Sequence, residues 1–198
     1  MLELGPNQRF IIPEPQEIPE ELRKWPNWVV WRYGVKRPDG SRPKMPLSRD
    51  GDLTSITDPN NWRTFEEAYG ELREAAEQSW WVPRGLGLVI TGTGLAVVDY
   101  DGVLDANGEL VPEVDVLAEY IDNDAQATYT EVSPSGTGLH VWYSSFPPAM
   151  NGRSSKLTLG KRKDGRRVGI EVYGSSDKRY LTVTGRRYKD APLTLAEG

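Results

Sequence analysis

The chain has no cysteine and a single histidine. The first absence excludes disulfides and thiolate zinc sites, and it fits a reducing, cytoplasmic setting. The second excludes any site that needs a pair of metal-binding histidines. Phenylalanine is scarce, with three residues, but seven Trp and nine Tyr give a chain of 198 residues ample aromatic bulk for a core. Long apolar runs are also missing. None approaches a membrane span, and the stretch from Met1 to Pro15 is polar and proline-rich where a signal peptide would be apolar. One domain, or one domain plus a fragment, with no membrane partner is expected.

One sign of charge is absent from a long middle segment. From Leu95 to Glu131 there are ten acidic residues and no Lys or Arg, whereas Arg153 to Arg187 holds eleven Lys or Arg against three acids. The overall net charge of -5 hides this asymmetry. Two solvated faces would produce it. So would an acidic metal site beside a basic surface for phosphates.

Residues 1–19 are rich in proline and read as an extended arm. Residues 20–190 read as the main domain, and 191–198 as the start of a linker. Trp28 to Tyr33 is a β-rich run, and Pro38-Asp39-Gly40-Ser41 turns it into a hairpin whose return carries Lys44. Thr64-Phe65-Glu66-Glu67 is a capping box opening a helix to about Gln78. Gly87 to Ile90 and Leu95 to Val98 are apolar runs joined by Thr91-Gly92-Thr93-Gly94, which reads as a second hairpin. Pro112 to Asp122 reads as a helix. Ala127 to Val132, Leu139 to Tyr143, Val168 to Tyr173 and Arg179 to Thr184 read as strands, with Gly174 to Asp177 turning between the last two. The class is α+β, with mixed, largely antiparallel sheets and helices packed on them.

Three motifs carry chemistry. Asp99 and Asp101 sit two apart on a strand that ends the run Leu95-Ala96-Val97-Val98, so both carboxylates leave one face. Such a pair holds Mg2+ or Mn2+, which prefer oxygen ligands, although Asp101-Gly102 also makes an ordinary turn. Ser133-Pro134-Ser135-Gly136-Thr137-Gly138-Leu139-His140 is a glycine-rich loop leading into the only histidine. Gly136 and Gly138 let backbone N–H groups approach phosphate oxygens, and Ser135 and His140 add side-chain donors. A plain hairpin turn followed by a packed histidine is the competing reading. Glu171 lies in the apolar strand Val168 to Tyr173, where a buried carboxylate needs a metal or a basic partner.

Asp-x-Asp on a strand, then Ser-x-Ser-Gly-x-Gly-x-His, then a strand carrying an acid resembles the three motifs of the archaeo-eukaryotic primase superfamily. The likeness is to the primase-polymerase modules of phages, plasmids and integrated elements, and it covers about Pro26 to Gly185. The resemblance implies a catalytic core related to the RNA-recognition-motif fold. It implies catalytic metal ligands at Asp99, Asp101 and Glu171, binding Mg2+ or Mn2+, and nucleotide contacts at Ser135, Gly136, Gly138 and His140. Lys44 and Arg179 match basic positions near the nucleotide. The implied partners are nucleoside triphosphates and a single-stranded DNA template with its primer. The implied state is a monomer, with a helicase fused or associated in a longer protein, because relatives often continue past the point matching Gly198. The implied activity is transfer of nucleotides to a 3'-hydroxyl. Two other readings compete. A nuclease or replication initiator of related fold would need a histidine pair. A single-strand binding module would stack bases on Trp80, Trp81 and Trp142. The basic run Lys161-Arg162-Lys163, beside Asp164-Gly165, reads as a hairpin tip that holds DNA phosphates, with Arg32, Lys36 and Arg37 as the other path.

Overall fold

A computed structural model describes residues 10–38, 41–78, 84–145 and 155–198. Its elements run α1 (Glu20–Arg23), β1 (Trp28–Tyr33), β2 (Lys44–Pro46), α2 (Phe65–Glu77), β3 (Arg84–Val89), β4 (Ala96–Asp101), α3 (Ala118–Ala127), β5 (Thr130–Val132), β6 (Leu139–Tyr143), β7 (Ser155–Lys161), β8 (Arg167–Gly174) and β9 (Tyr180–Val183). The strands form a four-stranded sheet ordered β2-β1-β3-β9 and a five-stranded sheet ordered β5-β6-β4-β8-β7. Every pairing is antiparallel. The protein is α+β, as its pattern predicts. Among the described residues no helix is long and apolar enough to cross a membrane.

The β1–β2 hairpin forms, closed by Arg37 N–H donating to Ser41 at 2.7 Å and Gly34 N–H donating to Pro43 at 2.8 Å. Residues 39 and 40 of its turn lie outside the described residues. The capping box also forms. Thr64 Oγ1 accepts from Glu67 N–H at 3.2 Å, and the Glu67 carboxylate accepts from Thr64 N–H at 2.9 Å. These bonds satisfy two N–H groups that the first helical turn leaves unpaired. The stripe Phe65, Ala68, Leu72 and Ala75 is buried, and it packs against β1 and β3.

Two expected turns do something different from a hairpin. The Thr91 to Gly94 turn does not pair β3 with β4. It carries the chain from the four-stranded sheet to the five-stranded one, and the turn at Gly174 to Asp177 carries it back from β8 to β9. The two crossings lie side by side, joined by Gly92 N–H to Ser175 O at 2.8 Å and Thr91 Oγ1 to Asp177 O at 2.7 Å. β3 is committed to β1 and β9 by shape. A Cβ at Gly87 would stand 2.4 Å from the Tyr180 ring, and one at Gly85 would stand 2.5 Å from the Trp31 ring. Neighbouring aromatics fill the room those glycines leave.

The segment expected to be helical from Pro112 begins as a 3-10 turn, Pro112–Leu117, and becomes α-helical only at Ala118. Val111 before it makes no side-chain cap, so the first turn tightens instead. β5 starts at Thr130, later than its sequence pattern suggests. β7 was not expected: all seven of its residues are exposed, and only Leu157 and Leu159 alternate with their neighbours.

Two buried clusters result. The first joins α2, both sheets and Ile18, through Trp28, Val30, Leu86, Leu88, Val97, Trp142 and Tyr173. The second lies behind the five-stranded sheet, where Tyr100, Leu139, Val141 and Val168 meet Val114 and Ile121. Asp124 on α3 accepts from Tyr100 at 2.8 Å and from Tyr143 at 2.5 Å, fastening the helix to that face. The last residues follow the sheet: Tyr129 N–H donates to Thr194 O at 2.9 Å, and Tyr143 bridges Ala196.

Candidate active site

The register of the five-stranded sheet assembles the site. Glu131 on β5 faces His140 on β6, His140 faces Asp99 on β4, Asp99 faces Glu171 on β8, and Glu171 faces Lys156 on β7. Directly opposed residues point to the same side of a sheet, so five ionisable side chains form one row across five strands. The next row on that face is apolar. Val97 lies opposite both Trp142 and Tyr173, and all three belong to the first core cluster. The site is therefore where the core face turns polar.

The other wall comes from the four-stranded sheet. A cavity of about 320 Å3 is lined by Asp99, His140 and Glu171 on one side and by Lys44, Arg179, Tyr180 and Thr182 on the other. Of the nine residues singled out in the sequence, the fold thus brings together Lys44, Asp99, His140, Glu171 and Arg179. Tyr180 donates to the Lys44 carbonyl at 2.8 Å and so ties β9 to β2. The Arg179 guanidinium lies 4.6 Å from the Tyr173 ring centroid, a cation–π contact.

The remaining four are not among the residues that line the cavity. Asp101 is one step along β4 from Asp99, where Arg167 donates to it at 3.0 Å. Ser135, Gly136 and Gly138 belong to the β5–β6 connection. The Ser135 hydroxyl is 2.9 Å from that of Ser133 and 3.0 Å from that of Thr137, so the loop is knitted by its own side chains. Its glycines serve the chain path. Gly136 has φ of 75°, a turn conformation that disfavours other residues, and a Cβ at Gly138 would stand 2.6 Å from the Tyr100 carbonyl. Trp142 is fully buried and has no face to offer a base. Trp80 and Trp81 lie outside the described residues.

Charge in the site is unevenly compensated. Burial pushes the Asp99 carboxyl up to about 6; Asp101 and Glu171 push the same way, while His140 and Lys44 oppose them. Burial also lowers Lys44, and the attraction of Asp99 and Asp101 works against that. Glu171 behaves in the opposite way. Burial favours its neutral form, but hydrogen bonds from Lys156, Tyr173 and Arg167 outweigh burial and hold it at about 2. Arg167 is the link between the outer carboxylates: one nitrogen reaches Glu171 at 2.7 Å and Asp101 at 3.0 Å.

Among the described residues no three His, Asp or Glu side chains stand close enough together to hold a metal ion as placed. The donor set still fits a hard cation. Asp99 is a partly buried carboxylate whose charge its neighbours leave under-compensated, and Asp101 and Glu171 are held by exchangeable cations, Arg167 and Lys156. Oxygen ligands of this kind suit Mg2+ or Mn2+.

Sequence reasoning missed Glu131, Lys156 and Arg167. Arg167 and Glu171 are four apart on one strand, so a shared face was readable. Glu131 gave the weaker signal of a carboxylate between Thr130 and Val132. Its role depends on the end of β9, more than fifty residues away.

Comparison with known proteins finds a likeness to a phage primase-polymerase. Over 173 residues the chain is 35% identical to the DNA primase-polymerase of Nitratiruptor phage NrS-1. The alignment takes in 85% of this chain and 21% of that protein, so the chain spans about a fifth of its relative's length. No family model matches the chain. The resemblance to primase-polymerase modules is thereby shown, and the chain is a primase-polymerase-like module.

Proposed function

We propose that this chain is the catalytic module of a metal-dependent DNA primase-polymerase. It transfers nucleotides from NTPs or dNTPs to a 3'-hydroxyl on a single-stranded DNA template. The observation that carries the reading is the row His140–Asp99–Glu171 facing Lys44 and Arg179 across one cavity. Carboxylates on one wall and cations on the other match the two ends of a metal–triphosphate complex. The antiparallel strands β5-β6-β4-β8, with α3 behind them, support a core of the RNA-recognition-motif type, a four-stranded sheet.

Asp99, Asp101 and Glu171 would hold Mg2+ or Mn2+, which would neutralise charge on the phosphates and on the attacking and leaving oxygens. His140, Lys44 and Arg179 bind the triphosphate and align its α-phosphate with the primer end. The Ser135 loop stands at the mouth of the same β5–β6 hairpin and offers hydroxyl and N–H donors. Attack of the 3'-hydroxyl on the α-phosphate releases pyrophosphate. A primer-extension assay with and without Mn2+ tests the reading. Incorporation that needs the ion and disappears in Asp101→Ala supports it. Metal-independent extension, or full activity in that variant, would sink it.

A further inference from the structure

Glu131 is a carboxylate with no solvent exposure, and its hydrogen bonds account for its burial. One oxygen accepts from the Thr184 and Gly185 N–H groups and from Tyr129, each at 2.9 Å; the Thr184 hydroxyl lies 3.2 Å from it and donates to the Val132 carbonyl at 2.7 Å. The other oxygen is 3.2 Å from His140 Nδ1. Thr184 and Gly185 follow β9, which belongs to the four-stranded sheet, so Glu131 joins the two sheets behind the ring. The far nitrogen of that ring, Nε2, is 4.0 Å from Asp99 and faces the cavity.

We propose that Glu131 is a positioning residue for His140: it accepts the Nδ1–H hydrogen bond, fixes the plane of the ring, and leaves Nε2 to face the nucleotide. An oxygen already accepting three hydrogen bonds from fixed groups cannot drift, so the partner oxygen is held too. A carboxylate can only accept. Nδ1 must therefore carry a proton, and any second proton goes to Nε2, the nitrogen that can donate to a triphosphate oxygen. Metal-bound and catalytic histidines are commonly oriented in this way by a partner behind the ring. The role assigned to Nε2 rests on the nucleotide-binding reading above, whereas the hold on Nδ1 rests on geometry alone.

The single histidine makes the test clean, because the chain yields one imidazole signature. Long-range 15N–1H NMR of the whole chain at neutral pH should show Nδ1 protonated. In Glu131→Gln the side-chain amide can keep its oxygen toward Thr184 and Gly185 and must then donate to Nδ1. The ring proton should move to Nε2, and nucleotide affinity should fall about tenfold with loss of the charge-assisted bond. Thr184→Val removes the hydroxyl beside the same carboxylate, which donates to the Val132 carbonyl, without touching the ring, and should leave the signature unchanged. An unprotonated Nδ1 in the unaltered chain, or an unmoved proton in folded Glu131→Gln, overturns the proposal. A moved proton supports it, and unchanged nucleotide affinity alongside would count against the nucleotide site instead.

Discussion

Replacing Asp99 by Asn should stabilise the metal-free protein while destroying its activity. The carboxyl stands at about 6 in the fold against 3.8 for the free side chain, with burial as the main cause. The folded state therefore binds this proton more tightly than the unfolded chain does. The stabilising influence of the neutral form is complete below about pH 4 and is lost as pH rises through 6. Above that point the protein carries a charge it holds poorly. A difference of about two units corresponds to about 3 kcal/mol. Asn fills nearly the same volume without the charge, so the variant should recover most of that penalty. For a domain of this size the gain is about 6–12 °C in melting temperature. The measurement is thermal unfolding in EDTA at pH 7.5 and again near pH 4. The advantage should be large at the first pH and nearly absent at the second, and primer extension should be lost. A variant no more stable than the parent at pH 7.5 would refute the argument that Asp99 is an under-compensated, partly buried charge. Functional sites commonly trade stability for chemistry in this way.

Arg167→Ala removes the guanidinium that bridges Asp101 and Glu171; Mn2+ should then bind three- to tenfold more tightly without nucleotide, read by EPR titration, and weaker binding would show that Arg167 organises the carboxylates instead. His140→Ala should weaken nucleotide binding, measured by calorimetry, more than single-stranded DNA binding, measured by gel shift, because the ring faces the cavity; equal losses would make the ring structural. Lys161 and Lys163 flank the tip of the β7–β8 hairpin, and neutralising both should flatten the salt dependence of DNA affinity by about two units of slope. Arg162 between them donates to the Leu104 carbonyl at 2.6 Å, so Arg162→Ala should lower stability rather than the slope.

What could be read from the sequence, and what could not, follows from how far apart the determining residues lie. The α2 capping box is decided within four residues, Thr64 to Glu67, and it stands as read. Strand β6 is decided by five apolar-flanked residues, Leu139–Tyr143, and it also stands. The Thr91 to Gly94 turn was legible as a turn but not as a crossing between sheets, because the partner of β3 is chosen by Trp31 and Tyr180, whose rings fill the space above Gly85 and Gly87. β7 was not read as a strand, since in a segment exposed along its whole length only Leu157 and Leu159 keep a period of two. The same logic divides the candidate site. Asp99 and Asp101 share a face by local spacing alone. Setting His140, Asp99 and Glu171 abreast needs the registers of β6, β4 and β8 together, and a slip of one residue in any of them would send its member of the row to the face that packs on α3. The apolar row one step on, where Val97 sits between Trp142 and Tyr173, is what prevents such a slip, because a shifted register would strip that side of the core from the first cluster. Trp142 therefore serves the chemistry without touching it. Buried against both sheets, it keeps the only histidine opposite the carboxylate that is worst compensated for its charge.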